Sequence, residues 1–204
     1  MKSAHQPGRG FAHAPVNRSL PVLYDQSADG DTATSSQNFE TGQADLDDQG
    51  ADDFTVPTGE TWLVREIDVG GRYLEGSGAP SVNVFIYFHK KGGIVNRFLP
   101  GNVHREFDNL PTGDDGFGNF TVTLPKAMKL HAGTYWLSVQ ANMDSSTQGR
   151  WAWENTDSKR GAYRAVWRNP PGGWGRSDCL DWHRNDECTG NVDFLFVLRG
   201  DKLG

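Results

Sequence analysis

The chain has no apolar run long enough to cross a bilayer as a helix, which takes roughly eighteen residues. It also lacks a basic excess: 26 acidic against 20 basic side chains leave a formal charge of −6. That argues against nucleic acid as a partner, since a general nucleic-acid binder carries a basic face, and it is compatible with cation binding. No long stretch has helical periodicity, and no internal repeat is evident. The motifs of familiar catalysis are missing: no Gly-x-Ser-x-Gly elbow, no His-Glu-x-x-His, no phosphate loop. Carboxylates are numerous enough for a glycosidase pair, but spacing singles out no two of them. His131 and His183 could serve as bases, yet no serine or cysteine partner is implied. Cysteine is scarce. Cys179 and Cys188 stand close together in a polar loop, and a local disulfide is their natural pairing. Two free thiols in a reducing cell are the alternative. Zinc is disfavoured, because His183 alone would not complete four ligands.

What the chain does have is glycine, proline and short alternating segments. Among its 204 residues are 25 glycines and 10 prolines. Residues 1–20 have no apolar core, so they are not a signal peptide and read as a flexible leader or linker. Residues 21–204 are expected to form a single domain. The clearest strand lies within Leu130–Met143. Tyr135, Leu137, Val139 and Ala141 share one face, and Trp136, Ser138, Gln140 and Asn142 share the other. The second row carries an indole, a hydroxyl and two carboxamides, which suits a sugar or a peptide; it would equally suit a face lying under a loop. Gly133 is expected to mark the turn into this strand.

Other strands are expected at Phe54–Val56 and, after a Pro57–Gly59 turn, at Trp62–Val69, with Leu63, Arg65, Ile67 and Val69 on one face and Trp62 and Val64 on the other. In Ser81–His89, Val82, Val84, Ile86 and Phe88 form one apolar face with Phe85 and Tyr87 on the reverse, so it reads as a central strand covered on both sides, returning as a hairpin at Ile94–Leu99. Further strands fall at Phe120–Leu124, Arg150–Glu154, Gly161–Arg168 and Asp193–Arg199. Nine to eleven short strands with turns between them mean an all-β fold, a two-layer antiparallel sandwich of jelly-roll type.

Two features point to binding. The first is aromatic: of the five tryptophans between Trp151 and Trp182, four, Trp151, Trp153, Trp174 and Trp182, lie next to polar loops. Trp136, Trp151 and Trp153 are expected to be buried, with Trp174 or Trp182 exposed as a platform. The candidate ligand-binding residues are Trp174, Trp182, Trp136, Gln140 and Asn142. The second is acidic: Asp25–Gly50 reads as one long polar loop, and such loops are usually functional or disordered. Its Asp47 and Asp48, with Asp52 and Asp53 just beyond, are the candidate ligands of a structural Ca²⁺, which needs six to eight oxygens.

Several fragments in order, ADDFTVPTGETW, SVNVFIYF, LHAGTYWLSVQANMD, RWAWEN, AVWRNPPGGWG and DFLFVLRG, resemble secreted bacterial β-sandwich modules of surface and anchor-bearing proteins. More loosely they resemble pre-peptidase C-terminal domains. The resemblance covers about residues 20–200 and implies a jelly-roll fold, export and no catalysis. Some pre-peptidase C-terminal domains bind calcium through acidic residues near the first strands, and Asp52 and Asp53 match by position; the long Asp25–Gly50 stretch departs from that pattern. The expectation is a non-catalytic, secreted or cell-surface recognition or adhesion module. Its partner would be a glycan or a protein, with no membrane insertion. A purely structural stalk domain is the alternative, and a glycoside-active enzyme a more remote one.

Overall fold

The computed structural model describes residues 20–28, 30–91, 98–158 and 160–203. All but the last residue of the expected leader, Asp29, and most of the expected Ile94–Leu99 return strand lie outside these. The described chain forms thirteen strands: β1 (Val22–Gln26), β2 (Ala33–Ser35), β3 (Gln37–Asn38), β4 (Gln49–Val69), β5 (Gly71–Gly76), β6 (Ser81–Lys91), β7 (Phe98–Pro111), β8 (Phe120–Asn142), β9 (Gly149–Thr156), β10 (Val166–Arg168), β11 (His183–Arg184), β12 (Asp193–Phe194) and β13 (Phe196–Leu203). One short helix, α1, spans Asn185–Cys188.

The strands build a nine-stranded sheet, ordered β1-β13-β4-β8-β6-β7 with β3, β10 and β11 attached, and a four-stranded sheet of β12, β9, β2 and β5. The main core lies between the two. Tyr135, Leu137, Val139 and Ala141 of β8 meet Val82, Val84 and Ile86 of β6 and Trp151 and Trp153 of β9 there. The order is non-sequential, as in jelly-roll-like sandwiches. Trp151 and Trp153 are fully buried, and their indole N–H groups donate to Gly118 O at 2.8 Å and Leu195 O at 2.7 Å. A buried indole without such an acceptor would incur a desolvation cost.

Two compensating excursions explain why some expected strands are one strand. Opposite the single residue Ala132 of β8, β4 runs through Pro57, Thr58, Gly59 and Glu60; opposite the single residue Arg65 of β4, β8 runs through Leu124, Pro125, Lys126 and Ala127. The expected Pro57–Gly59 turn is therefore an excursion inside β4, and Gly133 lies within β8 rather than at its start. Gly59 carries a φ of +85°, which suits glycine.

A smaller irregularity corrects the face assignment of Trp62–Val69. On its other side β4 pairs β13, where Arg199 faces Glu66 but Gly200 faces Val64, leaving Arg65 as an extra residue. One inserted residue flips the side-chain parity. Trp62 and Val64 thus enter the same core as Ile67 and Val69, while Arg65 is exposed.

The Asp25–Gly50 stretch is not one loop. It holds the end of β1, then β2, β3, a 3-10 segment at Thr41–Leu46 and the start of β4. Asp48 and Asp47 anchor it, their Oδ1 atoms accepting the backbone N–H of Gln37 and Phe39, both at 2.7 Å. Likewise Gly161–Arg168 is a strand only over Val166–Arg168, and Asp193–Arg199 breaks at Leu195 into β12 and β13.

Candidate functional site

Because side chains alternate, β4, β6 and β8 present a second face away from the main core. It carries Gln49, Ala51 and Asp53 of β4; Asn83, Phe85, Tyr87 and His89 of β6; and Trp136, Ser138, Gln140 and Asn142 of β8. The segment from Arg160 to Cys188 folds over part of it. β10 pairs with Gln49–Ala51 of β4, and β11 pairs with β10. Trp182 thereby joins Ala51, Tyr87, Trp136 and Val166 in a second, smaller core, with Phe85 and Tyr163 half-buried at its margin.

Buried carboxylates fasten this flap. Asp53 accepts the backbone N–H of Ala162 through Oδ2 and of Tyr163 through Oδ1, both at 2.9 Å. Asp193 accepts the Ala165 N–H at 2.8 Å and lies 3.4 Å from Arg164 Nη1. Asp52 accepts Phe194 N, Asp53 N and Gln26 Nε2 at 2.7–2.8 Å. Burial, then the nearby Asp193 and Asp53 carboxylates, raises Asp52 well above the ordinary carboxylate range. Burial likewise pushes Asp48 up to about 8, against the pull of the Gln37 amide.

The disulfide expected between Cys179 and Cys188 is present and closes the loop that carries Trp182. Trp167 and Trp174 pack against it.

The uncovered remainder of the face is a row of amides. Asn142 Nδ2 donates to Asn83 Oδ1 at 2.9 Å and to Ser81 Oγ at 3.1 Å, and Asn142 Oδ1 accepts from Asn38 Nδ2 at 2.9 Å and Asn83 Nδ2 at 3.0 Å. Asn109 extends the row onto β7. Gln140 Nε2 donates to Asp48 O at 2.8 Å. Phe85 is half-buried at the inner end of the row, stacked on Tyr87 at 6.0 Å and paired across the strands with exposed Glu106. Tyr87 meets Trp182 edge-on at 5.6 Å, and Arg168 lies over the Trp182 ring at 4.2 Å. Together these residues form a shallow face with aromatic carbon at one end and fixed donors and acceptors at the other.

The expected ligand residues fare unequally. Trp136, Trp182, Gln140 and Asn142 come to this one face. Trp136 is fully buried, as expected, but Trp182 is only 9 % exposed, so it is not the open platform expected. Trp174 lies apart, half-buried beside the disulfide, with its indole N–H on Leu46 O at 2.8 Å. The four candidate calcium ligands do not gather. Among the described residues, the one group of three metal-ligating side chains with ligand atoms within 4.8 Å of one another is Cys179, His183 and Cys188, two of which form the disulfide. Asp52 and Asp53 spend their oxygens on N–H donors instead.

Asn83, Phe85 and Tyr87 escaped the sequence reading as site residues, although their alternation on Ser81–His89 marks one face. Arg168 and Asn38 gave no signal, since only the flap and the β3–β8 pairing bring them in. Compared with protein-family models, curated proteins and solved structures, the chain matches none of them.

Proposed function

We propose that the protein is a non-catalytic extracellular recognition or adhesion module that binds carbohydrate across the outer face of β6 and β8. The observation that carries this reading is the half-buried amide row of Asn38, Asn142 and Asn83, leading to the half-exposed ring of Phe85. Sugar recognition requires that pairing: fixed amides answer ring hydroxyls, and an aromatic face takes the apolar C–H side. The disulfide suits an oxidising compartment. Among the described residues no helix is long and apolar enough to cross a membrane. Calcium has no part in the proposal, because the Asp52 and Asp53 oxygens already accept N–H groups.

The test is a glycan-array screen of the full chain, followed by titration calorimetry on any hit. Phe85→Ala and Asn142→Ala should each weaken the hit by about tenfold or more, a loss of about 1.4 kcal/mol. An array with no hit, or a hit indifferent to both substitutions, would overturn the reading. A second reading, a purely structural surface or stalk domain, is favoured by one observation: the amides of the row already satisfy one another.

A further inference from the structure

Arg168 bears on the class of sugar. Its Nε and Nη2 both donate to Gln49 Oε1, at 3.1 and 2.7 Å, and its guanidinium lies 4.2 Å from the Trp182 ring centroid. Gln49 is fixed in turn, its Nε2 donating to the Tyr87 hydroxyl at 3.0 Å. The plane of the guanidinium is therefore set by two strands and a stacked ring before any ligand arrives.

A guanidinium offers five N–H donors. Gln49 takes one from Nε and one from Nη2. The two on Nη1 and the second on Nη2 have no hydrogen-bond acceptor among the described residues. The nearest carboxylate oxygen, Asp181 Oδ1, lies 4.0 Å from Nη1, too far for a hydrogen bond. The Asp181 side chain is 89 % exposed, and an ion pair that loose contributes little. The edge left over, Nη1 with Nη2, presents two parallel N–H groups and can pair bidentately with a carboxylate. Bracing Trp182 needs the face of the guanidinium and does not use that edge. The Arg168 side chain is 28 % exposed, on the same face as Phe85 and Gln140.

We propose that the face selects acidic sugars: a uronate carboxylate pairs end-on with Arg168 while the neighbouring ring lies against Phe85. The proposal rests on the carbohydrate reading above. A carboxylate is planar and matches the fork; a sulfate ester is the other common anion on glycans, and the test separates the two.

The experiment presents the full chain with matched oligosaccharides: neutral galactan, galacturonan, methyl-esterified galacturonan and a sulfated galactan. The expected result is that galacturonan binds at least about tenfold more tightly than galactan, and that esterification, which removes the charge without touching the protein, abolishes the preference. Arg168→Gln should bring galacturonan down to the galactan level. If galactan or the sulfated glycan binds as well as galacturonan, or if the ester keeps the preference, the proposal fails. Binding of neutral glycans alone removes this inference and leaves the carbohydrate reading standing; binding of none removes both. Because the ester comparison uses the unaltered protein, the outcome does not depend on how Arg168→Gln folds.

Discussion

Gln26 and Asp52 are joined by a 2.8 Å hydrogen bond, Nε2 to Oδ2, between two side chains that are each almost wholly buried. The same Gln26 amide donates to Phe194 O at 2.9 Å, and the Phe194 N–H returns to Asp52 Oδ2 at 2.7 Å. This closed circuit ties β1 and β12 to β4. Asp52→Asn puts an NH₂ where one carboxylate oxygen stood, so at least one buried N–H loses its acceptor whichever way the amide turns. The expected loss is about 1–3 kcal/mol, read as a lower urea midpoint with unchanged slope.

Asp48 should make stability depend on pH. Its folded-state pKa is raised to about 8 by burial, above the ordinary carboxylate value near 4 in the unfolded chain. The unfolded state then gives up the proton first as pH rises. The contribution of this group is whole at low pH, declines as pH rises past about 4 and is gone above about 8. The shift at Asp52 has the same sign. Asp48→Asn removes the Asp48 share while its oxygen still serves the Gln37 N–H. Melting temperatures across this range should fall less steeply in the variant than in the parent.

Ser138 Oγ is buried with no hydrogen-bond partner among the described residues. Unsatisfied hydroxyls cost free energy, so Ser138→Ala should be neutral or stabilising by up to about 1 kcal/mol. Chemical denaturation measures it, and the amide row should be unaffected.

Opening the Cys179–Cys188 bridge frees the loop that positions Trp182. For a loop this short the expected loss is about 2–3 kcal/mol, seen as a lower denaturation midpoint under reductant. A Cys179→Ala/Cys188→Ala double variant should show the same loss without reductant. Trp182 fluorescence should shift to the red as the ring leaves Tyr87.

Because the oxygens of Asp52 and Asp53 are already engaged by N–H donors, Ca²⁺ has little left to coordinate there. Melting with chelator and with excess Ca²⁺ should give the same midpoint. A rise with Ca²⁺ would show binding by mass action and return the metal to the account.

Much of the frame was legible in advance. Alternation identified the inward faces of Tyr135–Ala141 and of Val82, Val84 and Ile86, since a two-residue period puts every second side chain on one side, but Phe88, expected on the same face, is 46 % exposed. The proximity of Cys179 and Cys188 pointed to their bridge. Two of the misread strand boundaries share one cause. Pro57–Glu60 and Leu124–Ala127 look like turns, yet each is tolerated inside a strand because the excursion of one offsets the other. Arg65 shows nothing unusual in sequence, and its role as an extra residue exists only relative to Arg199.

The amino-acid sequence by itself determined the fold class and the content of the main core, because burying apolar side chains at strand spacing is a local property of the chain. The tertiary structure alone decided which residues share the outer face. Trp182 reaches β6 and β8, and Arg168 reaches Gln49 of β4, because β10 pairs with β4 and buried carboxylates at Asp53 and Asp193 capture backbone N–H groups of the Ala162–Ala165 stretch. Those bonds join positions more than a hundred residues apart for Asp53 and twenty-eight for Asp193, and no local pattern encodes such a pairing.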